Sequence, residues 1–154
     1  MVGSLSGVQK LAKIPHFFEE IAQYISLNFP YVKKVVELGV GFSPWTALKL
    51  RQLLPNAEIL VVDKNPEALK ELEPWGLRAI KDDVFNPNLR IYEDAGLIYS
   101  IHPPLELINP IKLLAEKIGA AILVKPLSED AYLYGFDDWR RVRLSSCTIY
   151  VLQR

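Results

Sequence analysis

The chain has 154 residues, of which half are apolar and 23% are charged, a composition ordinary for one soluble globular domain. Basic and acidic residues number 18 each, so no net field attracts nucleic acid or an anionic membrane. The single cysteine, Cys147, excludes an intramolecular disulfide and a cysteine-rich zinc site, and no metal site is predicted. No apolar run could span a bilayer and no signal-peptide core is found, so we expect a cytoplasmic protein without membrane contact.

The first predicted element is a helix over about residues 15–28. Pro30 ends the pattern. Its apolar residues recur at helical spacing and are Phe17, Phe18, Ile21, Ala22, Tyr24 and Ile25. An amphipathic helix at this position is expected to cover one edge of a sheet. A part in closing a ligand site is the alternative.

The central motif of the chain, VVELGVGFSPWTALKL, is predicted to be a strand, a glycine turn and a helix. The strand is predicted over 35–38 as a buried strand with Val35, Val36 and Leu38, and the turn contains Gly39 and Gly41. Ser43 is predicted to cap the helix, with Pro44 at its first helical position. Glycines let a ligand approach the backbone, and a helix start offers unpaired N–H groups. The motif therefore predicts a site for the polar part of a nucleotide-like ligand.

A carboxylate follows this turn at the sequence spacing expected of a ribose-binding residue. The apolar run EILVVD is predicted to be the second strand and ends at Asp63, about 20 residues after Gly41. A carboxylate at that spacing, at the end of a neighbouring parallel strand, can hold two ribose hydroxyls. The pair favours an adenosine-type ligand over a βαβ unit with a tight turn and no ligand.

The spacing of the glycines distinguishes two kinds of adenosine cofactor. The dinucleotide fingerprint G-x-G-x-x-G would need a third glycine where the chain has Pro44. The pattern acidic-x-G-x-G-x-(G/S), in contrast, fits completely from Glu37 to Ser43. This segment resembles the first motif of the Rossmann-like S-adenosylmethionine-dependent methyltransferases. The resemblance implies S-adenosylmethionine as the cofactor.

The resemblance also implies which residues contact that cofactor. Glu37 would orient the turn, and Asp63 would bind the ribose. Asp83 with Val84 would hold the adenine after the third strand, with Asp82 as the alternative, whereas the other interpretation of this acidic pair is a solvated turn. The residues assigned to the cofactor are Glu37, Gly39, Val40, Gly41, Phe42, Ser43, Asp63, Lys64, Asp83 and Val84.

The fourth predicted strand, AGLIYSI, runs into His102, Pro103 and Pro104. Ligands of open parallel sheets bind beyond the carboxyl ends of the strands, so His102 is predicted near the methyl acceptor, with the two prolines at its rim. The predicted catalytic roles are a general base at His102, assisted by Ser100. A histidine on the rim of a rigid proline turn is the alternative. Amino-directed methyltransferases have Asp/Asn/Ser-Pro-Pro-aromatic here, whereas this chain has His102 and Leu105 at the two ends, which disfavours base methylation.

The order of predicted elements is β-α-β-α-β-(loop)-β-α-β over about residues 34–125. It predicts a single α/β domain with a three-layer, doubly wound, mostly parallel sheet, the Rossmann-like methyltransferase fold. The C-terminal region, 126–154, is too short to hold at normal length the helix and the antiparallel strand pair that follow the fifth strand in a full methyltransferase. Within it, 128–134 is predicted to be a helical turn or a short strand. A last strand is predicted over 144–152, and we expect it to be antiparallel because a parallel return needs a long crossover.

One segment of the chain is both basic and aromatic. It contains Trp139, Arg140, Arg141 and Arg143. These residues could bind a phosphate or RNA, but arginines beside a tryptophan are also typical of a solvated edge strand. The net charge of zero does not indicate a nucleic-acid partner.

The runs DDVF and LIYSIHPPLEL narrow the resemblance to a small family of uncharacterised archaeal proteins with a trimmed methyltransferase-like fold. It covers about residues 35–124 and implies no known substrate. The leading hypothesis is an enzyme that transfers a methyl group from S-adenosylmethionine to an unidentified acceptor. The alternative is a catalytically silent module that binds an adenosine ligand or a partner, and an NAD or nucleotide binder is less favoured. A second copy of the chain is the further partner considered.

Overall fold

The computed structural model describes residues 13–128 and 135–153, which form a sheet of seven strands between two layers of helices. The strands are β1 (Lys34–Leu38), β2 (Glu58–Asp63), β3 (Arg78–Lys81), β4 (Leu97–Ile101), β5 (Ala121–Lys125), β6 (Arg140–Arg143) and β7 (Thr148–Leu152). Their order across the sheet is β3-β2-β1-β4-β5-β7-β6. The first five strands are parallel, and β7 is antiparallel to both of its neighbours. The predicted doubly wound, mostly parallel sheet is confirmed.

Within the described residues, three α-helices and three short 3₁₀ helices connect these strands, and a fourth α-helix precedes β1. The α-helices are α1 (Phe17–Asn28), α2 (Trp45–Leu53), α3 (Pro66–Leu72) and α4 (Ile108–Ile118). The 3₁₀ helices are Glu73–Trp75, Leu89–Tyr92 and Leu105–Leu107. None of the helices in the described ranges is long and apolar enough to cross a membrane.

The core consists of two apolar layers, one on each face of the sheet. On the first face, Ile21 of α1 and Leu50 of α2 belong to the same buried cluster as Val35 of β1. On the second face, Ile111 of α4 packs in a cluster with Val36, the next residue of β1. Since successive side chains of a strand point to opposite faces, a strand covered on both sides is buried along its whole length, as β1 is, although it contains Lys34 and Glu37.

Helix α1 lies on a face of the sheet and not over an edge, so the predicted position is wrong: its buried residues share a cluster with Val35 of β1 and Leu97 of β4, which are central strands. These buried residues are Phe18, Ile21, Ala22 and Ile25. The hydroxyl of Thr46, at the start of α2, donates a buried hydrogen bond of 2.7 Å to the carbonyl of Phe18 and so ties the two helices together. The first residue of α1, Phe17, also reaches the loop after β4, so the helix begins beside the carboxyl end of that strand.

The predicted helix cap at Ser43 is wrong. The helix begins at Trp45, Pro44 occupies the cap position, and no side chain caps this end. The N–H of Ser43 instead donates to the carbonyl of Val40 at 3.2 Å and closes the glycine turn. The first helical hydrogen bond runs from Leu48 N–H to Pro44 O, at 2.9 Å. Ser43, which was predicted to cap the helix, therefore belongs to the tight turn instead.

Both strands of the C-terminal pair are present. Strand β7 is antiparallel to β5, with Leu123 opposite Val151, which confirms the predicted antiparallel last strand. Strand β6 then forms the edge of the sheet against β7. Both strands of this pair are therefore kept in the short C-terminal region. The helical turn or short strand predicted over 128–134 falls, apart from its first residue, outside the described residues.

Within the basic and aromatic segment, the aromatic and basic side chains separate. Trp139 is only 6% exposed, and its ring packs edge-on against Phe136 with 5.0 Å between the ring centroids. The three arginines of β6 are exposed, and Arg140 donates to the hydroxyl of Tyr24 at 3.0 Å. The solvated edge strand is therefore observed. A nucleic-acid contact at this strand stays a prediction. It would involve the exposed arginines but not the ring of Trp139, which is buried.

Candidate functional site

The glycine turn after β1 has a backbone conformation that favours glycine. Gly39 and Gly41 have φ values of +70° and +56°, in the left-handed region. The N–H groups of Gly39 and Val40 both donate to the carbonyl of Val62, at 2.8 and 3.2 Å, so the turn is held against the end of β2. An added Cβ would meet no atom within 4 Å at Gly41, so the conformation and not the space demands glycine there.

Asp63 lies at the end of β2 and is bonded to this turn. Its Oδ2 accepts the N–H of Gly41 at 2.8 Å, and its Oδ1 accepts the N–H of Asn65 at 2.9 Å. Asn65 in turn caps α3 by accepting the N–H of Glu67 at 3.0 Å. One carboxylate therefore joins the glycine turn to the start of α3. The two anchors that the sequence placed about 20 residues apart meet in the fold.

A cleft of about 260 Å³ opens beside these groups, at the carboxyl ends of β1, β2 and β3. The predicted cofactor residues that line it are Gly39, Asp63, Lys64, Asp83 and Val84. Those that do not line it are Glu37, Val40, Gly41, Phe42 and Ser43. Lining residues that were not assigned to the cofactor are Leu38, Val62, Asp82, Phe85, Pro104, Leu107 and Ile111. Most of the additional residues are apolar. Leu38 and Val62 lie at the ends of the strands beside the two anchors, whereas the others come from loops and helices whose approach to the cleft no local pattern predicts.

The two neighbouring aspartates of the cleft have different tasks. Asp82 accepts the hydroxyl of Tyr92 at 2.6 Å and the N–H of Asn88 at 3.2 Å, so it braces the loop after β3. Burial, and then the Asp82 carboxylate, raise the pKa of Tyr92. Asp83 makes only a local turn, in which its Oδ1 accepts the N–H of Phe85 at 2.9 Å. Asp83 is therefore the better placed of the two to accept a further hydrogen bond in the cleft.

Glu37 lies buried below the glycine turn. Its Oε1 accepts the hydroxyl of Tyr99 at 2.7 Å, and the two residues are direct partners across β1 and β4. The pKa of Glu37 is raised to about 8, chiefly by burial and also by the charge of Asp63, against the opposing effect of the Tyr99 hydrogen bond. Glu37 is therefore mostly protonated at neutral pH. Tyr99 was missed by sequence reasoning because its role arises from the register of two strands distant in sequence.

Ser100 is a buried residue with a bond to the backbone. Its side chain is 2% exposed, and its hydroxyl donates to the carbonyl of Leu38 at 2.8 Å. This bond links β4 to the end of β1, just before the glycine turn. The hydroxyl proton of Ser100 is thus already used in a hydrogen bond within the fold. The catalytic assistance predicted for Ser100 stays a prediction.

His102 forms a compact cluster with Lys125 and Phe17. Its Nε2 lies 2.7 Å from Lys125 Nζ, and its ring centroid is 5.4 Å from that of Phe17. Lys125 Nζ lies 4.5 Å from the centroid of the Phe17 ring. Burial, and then the positive charge of Lys125, lower the pKa of His102. The imidazole is therefore neutral at neutral pH.

A second cavity, of about 350 Å³, lies beyond β4 and β5 and includes His102. The predicted rim residues Pro103 and Pro104 both line it, and Pro104 also lines the cleft beside the glycine turn. The two spaces are therefore neighbours that share a wall. Sequence reasoning missed Lys125, although one signal was present: it ends an apolar strand adjacent to the strand that His102 follows.

A larger groove of about 560 Å³ lies between α1 and α2 on the outer side of the helical layer. Trp45 and Trp75 line it, with ring centroids 5.4 Å apart, and Lys49 forms an ion pair of 3.3 Å with Glu19 across it. Arg51 donates to the carbonyl of Trp75 at 3.1 Å. These charged side chains bind other parts of the chain, and the groove is not at the carboxyl ends of the strands, where ligands of this architecture bind.

The strand order, the glycine turn after β1 and the carboxylate that ends β2 together define an α/β protein of the methyltransferase-like fold. Solved structures agree. MtNAS in complex with MTA and tNA superposes with a TM-score of 0.70 and 15% identity, over all of this chain and 66% of that one. Fibrillarin in the fibrillarin/Nop5p complex superposes with a TM-score of 0.61 and 18% identity, over 80% of this chain and 73% of that one. The plantazolicin methyltransferase BpumL in complex with SAH superposes with a TM-score of 0.56 and 19% identity, over 84% of this chain and 51% of that one.

Sequence similarity places the chain within a particular family. The model of the uncharacterised protein family UPF0146 matches residues 18–154. A UPF0146 protein of Archaeoglobus fulgidus is 37% identical over 139 residues, which are 90% of this chain and 96% of the relative. One of Pyrococcus horikoshii is 42% identical over 97 residues, 63% of this chain and 72% of the relative. The chain belongs to the UPF0146 family, which confirms the resemblance to uncharacterised archaeal proteins.

Proposed function

We propose that the protein binds S-adenosylmethionine in the cleft at the ends of β1, β2 and β3 and transfers its methyl group to a small acceptor. The observation that carries this proposal is the hydrogen bond from Gly41 N–H to Asp63 Oδ2, which brings the two adenosine anchors together at one cleft. Two structural neighbours support it, since BpumL forms a complex with SAH and an MtNAS mutant a complex with S-adenosylmethionine.

The residues of the cleft fit such a cofactor. Each oxygen of the Asp63 carboxylate accepts one backbone N–H and can accept a further bond, so ribose hydroxyls can be held without breaking the turn. Gly39 has no side chain and leaves the backbone approachable. Val84 and Ile111 supply apolar surface for a base, and Asp83 supplies an acceptor for its amino group. A volume of about 260 Å³ suits the nucleoside part of the cofactor.

When bound, S-adenosylmethionine supplies an activated methyl group. The protein's task is then to orient the acceptor and exclude water, because such a displacement depends chiefly on alignment. Glu37 is mostly neutral at neutral pH because burial raises its pKa to about 8, and its bond with Tyr99 links β1 to β4 just before the turn. His102 lies in the neighbouring cavity, which shares Pro104 with the cleft and is the expected place of the acceptor.

The alternative function, a binding module without catalysis, is favoured by one observation. The Ser100 hydroxyl is bonded to Leu38 O, and Nε2 of His102 is bonded to Lys125, so both predicted catalytic groups have structural partners. In that case the same cleft would bind the adenosine ligand, and the protein would act through ligand sensing or a partner. Binding of the cofactor is common to both functions and is therefore the first property to test.

The test is a calorimetric titration of the protein with S-adenosylmethionine, S-adenosylhomocysteine and NAD. We expect saturable binding of the first two. Asp63→Asn keeps the size of the side chain but removes its charge, and it should weaken binding by about tenfold or more, since hydrogen bonds to a charged acceptor are the stronger ones. Glu71→Ala, which removes an exposed carboxylate of α3, is the matched control and should bind as the native chain does.

Three outcomes would contradict the proposal in different ways. Absence of binding by either methionine-derived ligand would remove the cofactor site. Equal binding by Asp63→Asn and the native chain would place the ligand elsewhere. Tighter binding of NAD would identify a dinucleotide protein. Thermal unfolding of each variant, recorded in parallel, separates loss of the site from loss of the fold.

A further inference from the structure

We propose that the cavity beyond β4 and β5 binds a small molecule with an apolar body and an anionic oxygen, which His102 recognises while Lys125 holds it in one tautomer. That this molecule is the methyl acceptor rests on the proposed function, whereas its binding does not. The proposal gives the cavity a ligand class and makes Lys125 a positioning residue.

The walls of the cavity are almost wholly apolar. They include Pro103, Pro104, Leu105, Leu127 and Phe136, and among the described lining residues only His102 and Ser128 have polar side chains. Prolines have no backbone N–H, so this wall offers few donors to a ligand. At about 350 Å³ the cavity suits a ring with a few substituents and is at the small end of the usual range for ligand pockets. The body of the ligand is therefore small and apolar.

The contact with Lys125 determines where His102 holds its proton. A lysine ammonium can only donate hydrogen bonds, so Nε2 of His102, 2.7 Å from Lys125 Nζ, must be the acceptor. The neutral ring then has its proton on Nδ1. Nδ1 has no hydrogen-bond partner within the described part of the chain. His102 consequently offers a donor to a ligand, and its basic nitrogen is already occupied, which argues against the general-base role.

The fold fixes this pair at the ends of two neighbouring strands. Ile101 is the partner of Lys125 across β4 and β5, and the N–H of His102 donates to the carbonyl of Lys125 at 2.7 Å. His102 has a φ of +57°, in the left-handed region that non-glycine residues rarely adopt. The ring of Phe17 covers Lys125 Nζ from the side of α1. Strained residues held by surrounding contacts are concentrated at functional sites, which is consistent with a binding role for this pair.

The charge of the ligand follows from this donor. An N–H group supported by the positive charge of Lys125 favours an oxygen anion, because a hydrogen bond to a charged acceptor is stronger than one to a neutral acceptor. An ammonium ligand has only donors, so it could not accept the hydrogen bond from His102, and its positive charge would repel that of Lys125. The nearby carboxylate of Glu20 is bonded to the N–H groups of Ser145 and Ser146, at 3.1 and 2.8 Å, and not to the His102 ring. A carboxylate or a phenolate on a ring meets these requirements.

The tautomer can be measured directly. The chain contains only two histidines, His16 and His102, so the side-chain ¹⁵N resonances of His102 are assignable with His16→Ala. We expect the Nδ1–H tautomer in the native chain and a shift toward the Nε2–H tautomer in Lys125→Met. Lys125→Arg keeps a cationic donor and should retain the native tautomer. Lys33→Met, which removes an exposed lysine before β1, is the control. An unchanged tautomer in Lys125→Met would overturn the role of Lys125.

The ligand class is tested by titrating the cofactor-free protein with four small probes. Benzoate and 4-nitrophenolate are the two anions, benzyl alcohol is the neutral analogue, and benzylamine is the cation. We expect an anion to bind about tenfold more tightly than the alcohol, since its hydrogen bond to the ring is charge-assisted. The comparison of benzoate with 4-nitrophenolate distinguishes a carboxylate ligand from a phenolate. In Lys125→Met the preference for anions should disappear while the alcohol binds as before.

Equal binding of all four probes, tightest binding of benzylamine, or binding of none would each overturn the proposal. Because the titrations contain no S-adenosylmethionine, they are independent of the cofactor site. Anion binding without cofactor binding would leave this inference standing and contradict the proposed function. Cofactor binding without anion binding would do the reverse.

Discussion

The carboxylate of Asp63 accepts a hydrogen bond of 2.8 Å from the backbone N–H of Gly41. The bond joins the end of β2 to the loop after β1, and the carbonyl of Val62 supports it by accepting from Gly39 and Val40. Turn and carboxylate are therefore one unit before any ligand arrives. Such preorganisation lowers the cost of ordering a binding site, because the groups are already in place.

Gly41→Ala tests the need for this backbone conformation. An L side chain at a φ of +56° costs about 1–2 kcal/mol, and an added Cβ meets no neighbouring atom, so strain is the whole expected effect. We expect a loss of that size in the free energy of unfolding, measured in urea, together with weaker binding of S-adenosylmethionine. Gly119→Ala is the control, because Gly119 has a φ of +81° at the end of α4, away from the cleft. It should lose similar stability and keep native binding. Equal loss of binding in both variants would contradict a local role for Gly41.

The buried Glu37 should make the protein less stable as the pH rises. Its pKa is about 8 in the folded protein against 4.5 for an exposed glutamate. Between these values the folded state holds a proton that the unfolded state has released, so the free energy of unfolding falls with rising pH, by up to about 1.4 kcal/mol per unit. The contribution is complete below the unfolded pKa and is lost as the pH rises through the folded pKa.

Glu37→Gln removes this titration and keeps an acceptor for Tyr99. Urea unfolding between about pH 5 and pH 8 should show a smaller decline in stability for the variant than for the native chain. Glu71→Ala, at an exposed position on α3, should leave the decline unchanged. Parallel curves for the native chain and Glu37→Gln would show that Glu37 is already ionised in the fold.

Much of the fold can be predicted because its strands are covered on both faces. Strands β4 and β5 are then continuous apolar runs, LIYSI and AILV, bounded by turn residues, and such runs are evident in a sequence. The cap of α2 could not be predicted in this way. Ser43 has the side chain of a cap, but whether it caps or closes the turn with Val40 depends on the backbone path of the preceding glycines.

The same difference between local patterns and tertiary contacts explains which residues of the site could be predicted. Gly39 and Asp63 were predicted because the spacing of a βαβ unit links them within a short stretch of chain. Tyr99 and Lys125 were missed because they act through strand register, opposite Glu37 and beside His102. Phe17 is still more distant, since its contact with His102 depends on how α1 packs on the finished sheet. Contacts of this kind are consequences of the tertiary structure, and no local pattern encodes them.

Thr46→Val tests the bond between α1 and α2. Valine keeps the shape of the side chain but removes the hydroxyl that donates to Phe18 O in a buried environment, at 2.7 Å. We expect a loss of about 1 kcal/mol in the free energy of unfolding, the usual net value of one hydrogen bond. Thr148→Val, which loses a hydroxyl bonded to Arg143 at an exposed edge, is the matched control and should lose less. A larger loss in the control would contradict the importance of the helix contact.

Ser100→Ala separates a structural role for this residue from a catalytic one. The hydroxyl donates to Leu38 O at 2.8 Å and is buried, so its removal leaves a carbonyl at the end of β1 without that donor. We expect a loss of about 1 kcal/mol in the free energy of unfolding. Affinity for S-adenosylmethionine should change little, because Ser100 does not line the cleft. The measurements are urea unfolding and calorimetry on the same preparation.

Ser26→Ala is the comparison for Ser100→Ala, since Ser26 also donates to a backbone carbonyl, at 2.9 Å, but on the exposed side of α1. Its stability should be close to that of the native chain, because water replaces the lost bond at an exposed position. The structural role of Ser100 would be contradicted if both variants were equally stable. Once an acceptor is known, single-turnover rates complete the argument: a bond that only links β1 to β4 predicts a rate for Ser100→Ala within a few fold of the native rate, whereas a proton-transfer role predicts a loss of about a hundredfold or more.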